Sequence, residues 1–96
     1  MTRPTIDALV LSGVDNVATA LRELSPGETV SLGSPEGSRQ IRVSEAIPLC
    51  HKLALRPIER GAKITKYGET IGEATAAIAA GAHVHVHNLR SWKGRK

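Results

Sequence analysis

The sequence predicts a mainly β domain with one short helix. Short apolar stretches separated by turn residues run through most of the 96 residues, which include 9 Gly and 5 Pro, and this spacing is typical of a small β fold. Only the segment after Asp15 has the spacing of a helix. Because the chain has no Phe, one Tyr and one Trp, the core must be aliphatic, and we expect a partner to cover part of the apolar surface.

The predicted helix covers residues 16–24. Asp15 is a suitable N-cap, a role that stabilises a helix by about 1 kcal/mol. The turn residues Ser25-Pro26-Gly27 end the segment. Apolar side chains recur at helical spacing, at Val17, Ala20, Leu21 and Leu24.

The other elements are predicted to be short strands. Residues 29–32 and 40–43 flank a turn rich in Gly, Ser and Pro, so we expect them to form a hairpin. Thr75 is expected to cap one helical turn over residues 76–79. Further strands are predicted over residues 5–11, 51–55, 63–67, 71–74 and 83–89.

A weak internal repeat accompanies these strands. An apolar residue, a glycine and a second apolar residue, each separated by two others, occur in this order three times. Such a unit predicts a tight turn followed by a strand, because glycine adopts backbone conformations that other residues avoid. The alternative is chance in a small chain rich in glycine. The copies are Leu24-x-x-Gly27-x-x-Val30, Ile58-x-x-Gly61-x-x-Ile64 and Ile78-x-x-Gly81-x-x-Val84.

Charge and composition argue against several classes of function. The formal charge of +4 is spread along the chain, with its densest basic run in a tail from about residue 90. Nucleic-acid binding needs a basic stripe interleaved with stacking aromatic residues, and Trp92 is the only candidate for stacking. We therefore expect no nucleic-acid partner.

The chain is expected to be cytoplasmic and to have no membrane partner. No apolar stretch approaches the length of a membrane span, and the first residues lack the apolar segment of a secretory signal. The single cysteine, Cys50, excludes an internal disulfide and fits a reducing compartment. We expect Cys50 to be a small buried side chain.

The main functional signal is a group of histidines. Three of the four histidines in the chain stand at alternating positions, His83, His85 and His87. In a strand these side chains point to one face, about 7 Å apart. His51, distant in sequence, would complete a metal-binding or proton-transferring site if the fold brought it beside them.

Four blocks in this chain resemble the altronate/galactarate dehydratase family. They are Asp15-Asn16-Val17-Ala18-Thr19-Ala20-Leu21, His51-Lys52-Leu53-Ala54-Leu55-Arg56, Ile64-Thr65-Lys66-Tyr67-Gly68-Glu69-Thr70-Ile71-Gly72-Glu73-Ala74-Thr75 and Val84-His85-Val86-His87-Asn88. The blocks occur in the order of the family. Cys50 departs from the pattern, because the family usually has glycine there, and Ser12-Gly13-Val14 replaces a segment that often holds histidine. The resemblance implies one SAF domain over residues 1–96, with a β-clip fold.

The resemblance also implies a function. In split members of that family, and in sulfolactate sulfo-lyase, the SAF domain is a small subunit that pairs with a large catalytic subunit. The chain is therefore expected to be the small subunit of a sugar-acid dehydratase or a related hydroxy-acid lyase, inactive alone. A non-catalytic SAF module that binds a sugar acid or a protein is the alternative, and a homo-oligomer is also open. The particular hydroxy acid, and whether water or sulfite leaves, stay open.

Elimination from a hydroxy acid needs a base, an acid and a cation beside the carboxylate. His83 lies outside the matching block and is expected at the surface. The divalent metal expected is Fe, Mn or Zn, shared with the large subunit. The candidate catalytic residues and metal ligands are His51, His85 and His87. The candidate substrate-binding residues are Lys52, Arg56, Asn88, Asp15 and Asn16.

Overall fold

A computed structural model describes residues 6–35 and 37–92, and within them all regular structure is β. The mainly β prediction is confirmed. Among these residues there is no helix with the length and hydropathy needed to cross a membrane. The strands are β1 Ala8–Leu9, β2 Val17–Ala20, β3 Thr29–Ser34, β4 Gly37–Arg42, β5 Lys52–Ala54, β6 Lys63–Lys66, β7 Glu69–Ala74, β8 His83–Val84 and β9 Leu89–Ser91.

The strands form two sheets. The larger sheet has six strands in the order β4-β3-β1-β2-β5-β8, and the smaller has three in the order β6-β7-β9. β1 and β3 are parallel, whereas the other neighbouring pairs are antiparallel. The predicted hairpin is confirmed as β3 and β4, with Val30 opposite Ile41.

The domain has two apolar cores. Aliphatic residues fill both, as expected from the scarcity of aromatic residues. One core lies under β1, β2, β3 and β5 and includes Leu24, Leu32 and Leu53. The other lies between β5, β8 and the smaller sheet and includes Ile64 and Val84. These side chains are fully buried, so the functional groups described below rest on a fixed framework.

The prediction of a helix over residues 16–24 is wrong. Val17–Ala20 is instead a central strand, because β1 and β5 supply partners for its backbone on both sides. A strand that is central and covered on both faces carries apolar residues without strict alternation, so its pattern imitates a helix. The second predicted helical piece is also absent, since Ile78 forms an isolated bridge with Ile58.

The last predicted strand, residues 83–89, is also shorter than expected. β8 ends at Val84, and residues 86–88 form a turn before β9 begins at Leu89. Arg90 of the predicted basic tail therefore lies in β9. Residues 93–96 of that tail, and Thr5 of the first predicted strand, lie outside the described residues.

The internal repeat has a fourth copy, Ile47-x-x-Cys50-x-x-Leu53, in which cysteine replaces glycine. Cys50 has a φ of 71°, close to the values at the three repeat glycines. In all four copies a backbone N–H donates to the carbonyl three residues earlier, which closes a tight turn before the strand. Positive φ at the third turn residue is the mark of a type II turn.

The prediction that Cys50 is buried is therefore wrong. Its side chain is exposed because its backbone occupies a turn position rather than a strand position. Its N–H donates to the Ala20 carbonyl at 2.9 Å, so the turn is tied to the end of β2. This turn delivers His51 to the start of β5.

Candidate functional site

All four histidines lie together beside the β5–β8 pair. His83 pairs with Leu53, and His51 stands two residues before Leu53, so both histidines point to one face of the sheet. The ring centroids of His51 and His85 are 4.0 Å apart, those of His51 and His83 are 5.0 Å apart, and those of His83 and His87 are also 5.0 Å apart. The prediction that His51 lies beside His85 is confirmed.

His83, expected at the surface, stands at the centre of this histidine cluster. Its Nε2 lies 2.8 Å from Nδ1 of His51, a hydrogen-bonding distance. One ring must donate a proton and the other must accept it, so at least one of the two is neutral. The family block instead favours His87, which is exposed.

The environment favours neutral imidazoles. Burial lowers the pKa of His83, the nearby histidines lower it further, and Glu45 opposes them. Burial also lowers the pKa of His85, followed by the effects of His51 and Lys52. Neutral imidazoles offer lone pairs, which a general base or a metal ligand requires.

Asn88 holds the cluster in place. Its side-chain oxygen accepts the N–H of His85 at 3.0 Å, and its amide donates to the carbonyl of His83 at 2.8 Å. These two bonds close the turn that follows β8 and fix both backbone positions that carry rings. The sequence predicts that Asn88 binds substrate. Its contacts in the structure instead position the histidines.

Glu45 also holds the backbone of β8. Its carboxylate accepts the N–H of His83 at 2.7 Å. Glu45, Asn88 and His87 also line an open cleft of about 480 Å³, whose remaining walls are Ser44, Ile78 and four alanines. No pattern in the sequence marked Glu45, because its partner is a backbone group far along the chain.

Lysines lie next to the cluster. Lys52 follows His51 and is half-buried; burial lowers its pKa, and the charge of Lys66 lowers it further. Arg56, the other predicted carboxylate-binding residue, is exposed after β5 and makes none of the ion pairs or hydrogen bonds found among the described residues. The cation that acts on Lys52 is instead Lys66. No local pattern predicts this proximity, because the two residues lie on different strands.

Asp15 and Asn16 have structural contacts. Asp15 is 2% exposed, and its carboxylate accepts N–H groups of Ser12, Tyr67 and Gly68 at 2.9–3.1 Å. The expectation that it caps a helix is wrong because no helix follows, and it caps the β6–β7 turn instead. Asn16 bonds the backbone of β6 through both side-chain atoms.

We expect Asp15→Asn to destabilise the domain by about 2–3 kcal/mol, because an amide nitrogen would face N–H donors in a buried place. The turn it holds has positive φ at both Tyr67 and Gly68, as in a tight hairpin turn. Urea unfolding would measure the change, and Glu69→Gln, which removes a negative charge from an exposed position beside the same turn, is the control. Equal stability of the two variants would contradict this role.

The histidine cluster fits a divalent metal. Ring nitrogens of His51, His83 and His85 all lie within 4.8 Å of one another. Nitrogens that share a tetrahedral metal at about 2.1 Å are roughly 3.3 Å apart. Small movements of the rings would thus bring three neutral donors onto one ion. Of the metals expected from the sequence, Fe and Zn accept imidazole most readily, whereas Mn prefers oxygen ligands.

Known proteins similar to this chain include two altronate dehydratases. Altronate dehydratase from Escherichia coli strain K12 is 42% identical over 81 residues, which is 84% of this chain and 16% of that protein. Altronate dehydratase from Bacillus subtilis strain 168 is 39% identical over 77 residues, 80% of this chain and 15% of that protein.

A third relative is shorter. The (2R)-sulfolactate sulfo-lyase subunit alpha from Chromohalobacter salexigens is 42% identical over 52 residues, 54% of this chain and 55% of that subunit. The chain thus spans about a sixth of the length of the altronate dehydratases and about half of the sulfo-lyase subunit. A sequence model described as the altronate/galactarate dehydratase SAF domain matches residues 6–92, which include the whole histidine cluster. The chain belongs to the altronate/galactarate dehydratase SAF-domain family.

Proposed function

We propose that this chain is the small subunit of a sugar-acid dehydratase or a related hydroxy-acid lyase. The histidine cluster is the observation that carries the proposal, since four imidazoles packed together at the edge of a small domain serve no evident packing purpose. The names of the relatives, altronate dehydratase and sulfolactate sulfo-lyase subunit alpha, support lyase chemistry and an assembly of subunits.

The residues have distinct roles in such an elimination. A neutral ring of the His51–His83 pair takes the proton next to the carboxylate, and the hydrogen bond between the rings carries the charge that develops. The ammonium of Lys52, next in the chain to His51, neutralises the substrate carboxylate. A protonated histidine then donates to the departing hydroxyl or sulfite.

A divalent metal would be held by His51, His83 and His85. Because a coordinated imidazole nitrogen cannot also accept a proton, the proton would then pass to His87, which lies beside them. When bound, the metal supplies a Lewis acid for the carboxylate or the leaving group. Asn88 and Glu45 fix the backbone of these ligands through the bonds described above. Support of this kind, one shell beyond the ligands, tunes metal affinity in proteins.

A large subunit completes the site. The rings stand at an open surface, and the neighbouring cleft is open as well, whereas ligand sites enclose most of their ligand. Val86, 80% exposed between His85 and His87, is suited to contact a covering partner. The small chain thus forms one wall, and the partner forms the others.

We expect the purified chain to be inactive and a complex with its large subunit to be active. The test is to purify each separately and together, and to assay them with altronate, galactarate and sulfolactate. His83→Ala should lower turnover by the complex about 100-fold or more, while Arg39→Ala, exposed on β4, should leave it unchanged.

Two results would contradict the proposal. Turnover by the isolated chain at enzymatic rates would exclude the shared site, and full activity of the His83→Ala complex would exclude the histidine cluster. Copurification of the variant with the large subunit, together with an unchanged circular dichroism spectrum, separates a catalytic defect from loss of assembly or folding.

A further inference from the structure

Thr19 contains a buried hydroxyl with no hydrogen-bond partner among the described residues. It lies in β2, directly opposite Lys52 of β5. Residues directly opposite in antiparallel strands place their side chains on the same face, with Cβ atoms about 5 Å apart. A buried hydroxyl without a partner destabilises a fold unless a partner comes from outside the chain.

Lys52 and Lys66 also lack a partner of opposite charge among the described residues. Both side chains are half-buried. Lys66 follows Thr65, which exchanges hydrogen bonds with Asn16 directly before β2, and the charge of Lys66 acts on Lys52. Within residues 6–35 and 37–92, the ion pairs all belong to Arg22, so neither lysine has a carboxylate partner there. Lys66 has one aromatic contact, with its Nζ 4.7 Å from the centre of the Tyr67 ring. Two neighbouring cations repel each other, and an anion between them removes that repulsion.

We propose that Thr19, Lys52 and Lys66 form a binding site for the carboxylate of a hydroxy acid. Two ammonium groups and one hydroxyl supply donors on several sides, and a carboxylate has two oxygens with about four acceptor positions. The site adjoins the histidine cluster through the His51–Lys52 peptide bond. A carboxylate held here leaves the hydroxyl-bearing carbons directed to a neighbouring surface.

The choice of a hydroxy acid, rather than another anion, rests on the proposed function. The assignment of Thr19, Lys52 and Lys66 as the donors rests only on the structure. The site also replaces the earlier expectation that Arg56 binds the carboxylate, since Arg56 is exposed and Lys66 is the cation that acts on Lys52. Binding at this site requires neither metal nor a partner subunit.

The experiment is a titration of the full chain, labelled with ¹⁵N, followed by amide NMR shifts. Gluconate is the probe, sorbitol is its counterpart without a carboxylate, and sulfate is a simple anion. We expect gluconate to give saturable shifts at Thr19, Lys52 and Lys66 in the millimolar range, sorbitol to give none, and sulfate to bind more weakly. No saturable shift with gluconate, or an equal response to sulfate, would overturn the carboxylate site.

Substitutions test the individual donors. Lys66→Gln should weaken gluconate binding about tenfold, which corresponds to 1.4 kcal/mol, whereas Lys63→Gln removes the same charge from an exposed position of the same strand and should have no effect. An equal loss in both variants would reduce the effect to net charge and overturn the site.

Thr19→Val provides an independent measure, because it removes the unpaired hydroxyl and keeps the shape of the side chain. It should raise the midpoint of urea unfolding of the free chain and weaken gluconate binding. Unchanged binding in this variant would remove Thr19 from the site. Since these measurements use the isolated chain, their failure leaves the activity of the two-subunit complex as a separate question.

Discussion

Gly81→Ala is expected to destabilise the domain by more than about 4 kcal/mol, enough to unfold a large part of the population of a small domain. Gly81 has a φ of 79°, a conformation that strains any residue with a Cβ atom. A Cβ built at this position lies 2.1 Å from the carbonyl oxygen of Arg42. That contact is with backbone, so no side chain can rotate away to relieve it.

The surrounding bonds prevent the turn from moving. The N–H of Gly81 donates to Ala54 at 2.7 Å, and its carbonyl accepts the N–H of Ser44 at 3.0 Å. Gly81 therefore sits between two segments of the chain, and a shift that removes the clash breaks one of these bonds. Because His83 begins β8 two residues later, displacement of this turn would also displace the histidine cluster.

Gly61→Ala is the matched control for this prediction. Gly61 is the equivalent residue of another repeat copy and has a φ of 86°, but a Cβ there meets no atom within 4 Å. It should cost only the strain of positive φ, about 1–2 kcal/mol. Urea unfolding monitored by circular dichroism gives both values, and equal values for the two variants would show that the contact with Arg42 does not matter.

The repeat shows what sequence reasoning can and cannot recover. The spacing around Gly27, Gly61 and Gly81 predicted tight turns before strands, because glycine is the residue that positive φ selects, and all three have positive φ. The fourth turn was missed since Cys50 occupies the glycine position at a cost in strain. A search for the flanking apolar pair alone, Ile47 and Leu53, would have found it.

The histidine cluster was predicted in part. The alternation of His83 and His85, with His51 in a family block, predicted that rings would meet. The choice of His87 over His83 as a ligand came from the family block, which begins at Val84 and leaves His83 outside. The structure has the opposite order, because Asn88 closes a turn that takes His87 out of the strand. A side chain that bonds its own neighbouring backbone can end a strand, and Asn88 was the available signal.

The error at residues 16–24 has a different cause. Apolar spacing reports which residues are buried, and β2 buries side chains on both of its faces because one apolar core packs against each. Asp15 was consistent with a helix cap, but its carboxylate instead receives N–H groups of residues 67 and 68. Contacts between residues about fifty positions apart in the sequence make this segment a strand, and no local pattern contains such contacts.

The isolated chain is expected to bind one divalent metal through His51, His83 and His85, and His83→Ala should weaken binding by at least about 100-fold. Loss of residues that only support a ligand costs roughly 10–100-fold in affinity, so loss of a direct ligand should cost more. His83 is decisive because its ring nitrogen is 2.8 Å from that of His51. Calorimetric titration of the full chain with Zn²⁺ and Mn²⁺ measures the affinity without any assay of activity.

His87→Ala is the control that distinguishes the structure from the sequence pattern. The ring of His87 contacts that of His83, with centroids 5.0 Å apart, but it is not one of the three histidines whose nitrogens converge. Its removal should change the affinity by only a few fold. If His87→Ala abolishes binding while His83→Ala retains it, the ligand set implied by the family block, His51, His85 and His87, is right, and the turn closed by Asn88 does not fix the ligands.

The pH dependence of metal binding follows from the same geometry. Protons compete with the metal for imidazole nitrogens, so affinity must fall on acidification. Burial lowers the pKa of His83 and His85, which keeps these rings neutral below the ordinary histidine value of about 6.5. We therefore expect the midpoint of the fall in metal affinity to lie below about pH 6.5. Complete loss of binding already above about pH 6.5 would contradict a partly buried, mutually repelling set of ligands. It would then favour the cluster as a pair of proton carriers joined by the His51–His83 hydrogen bond.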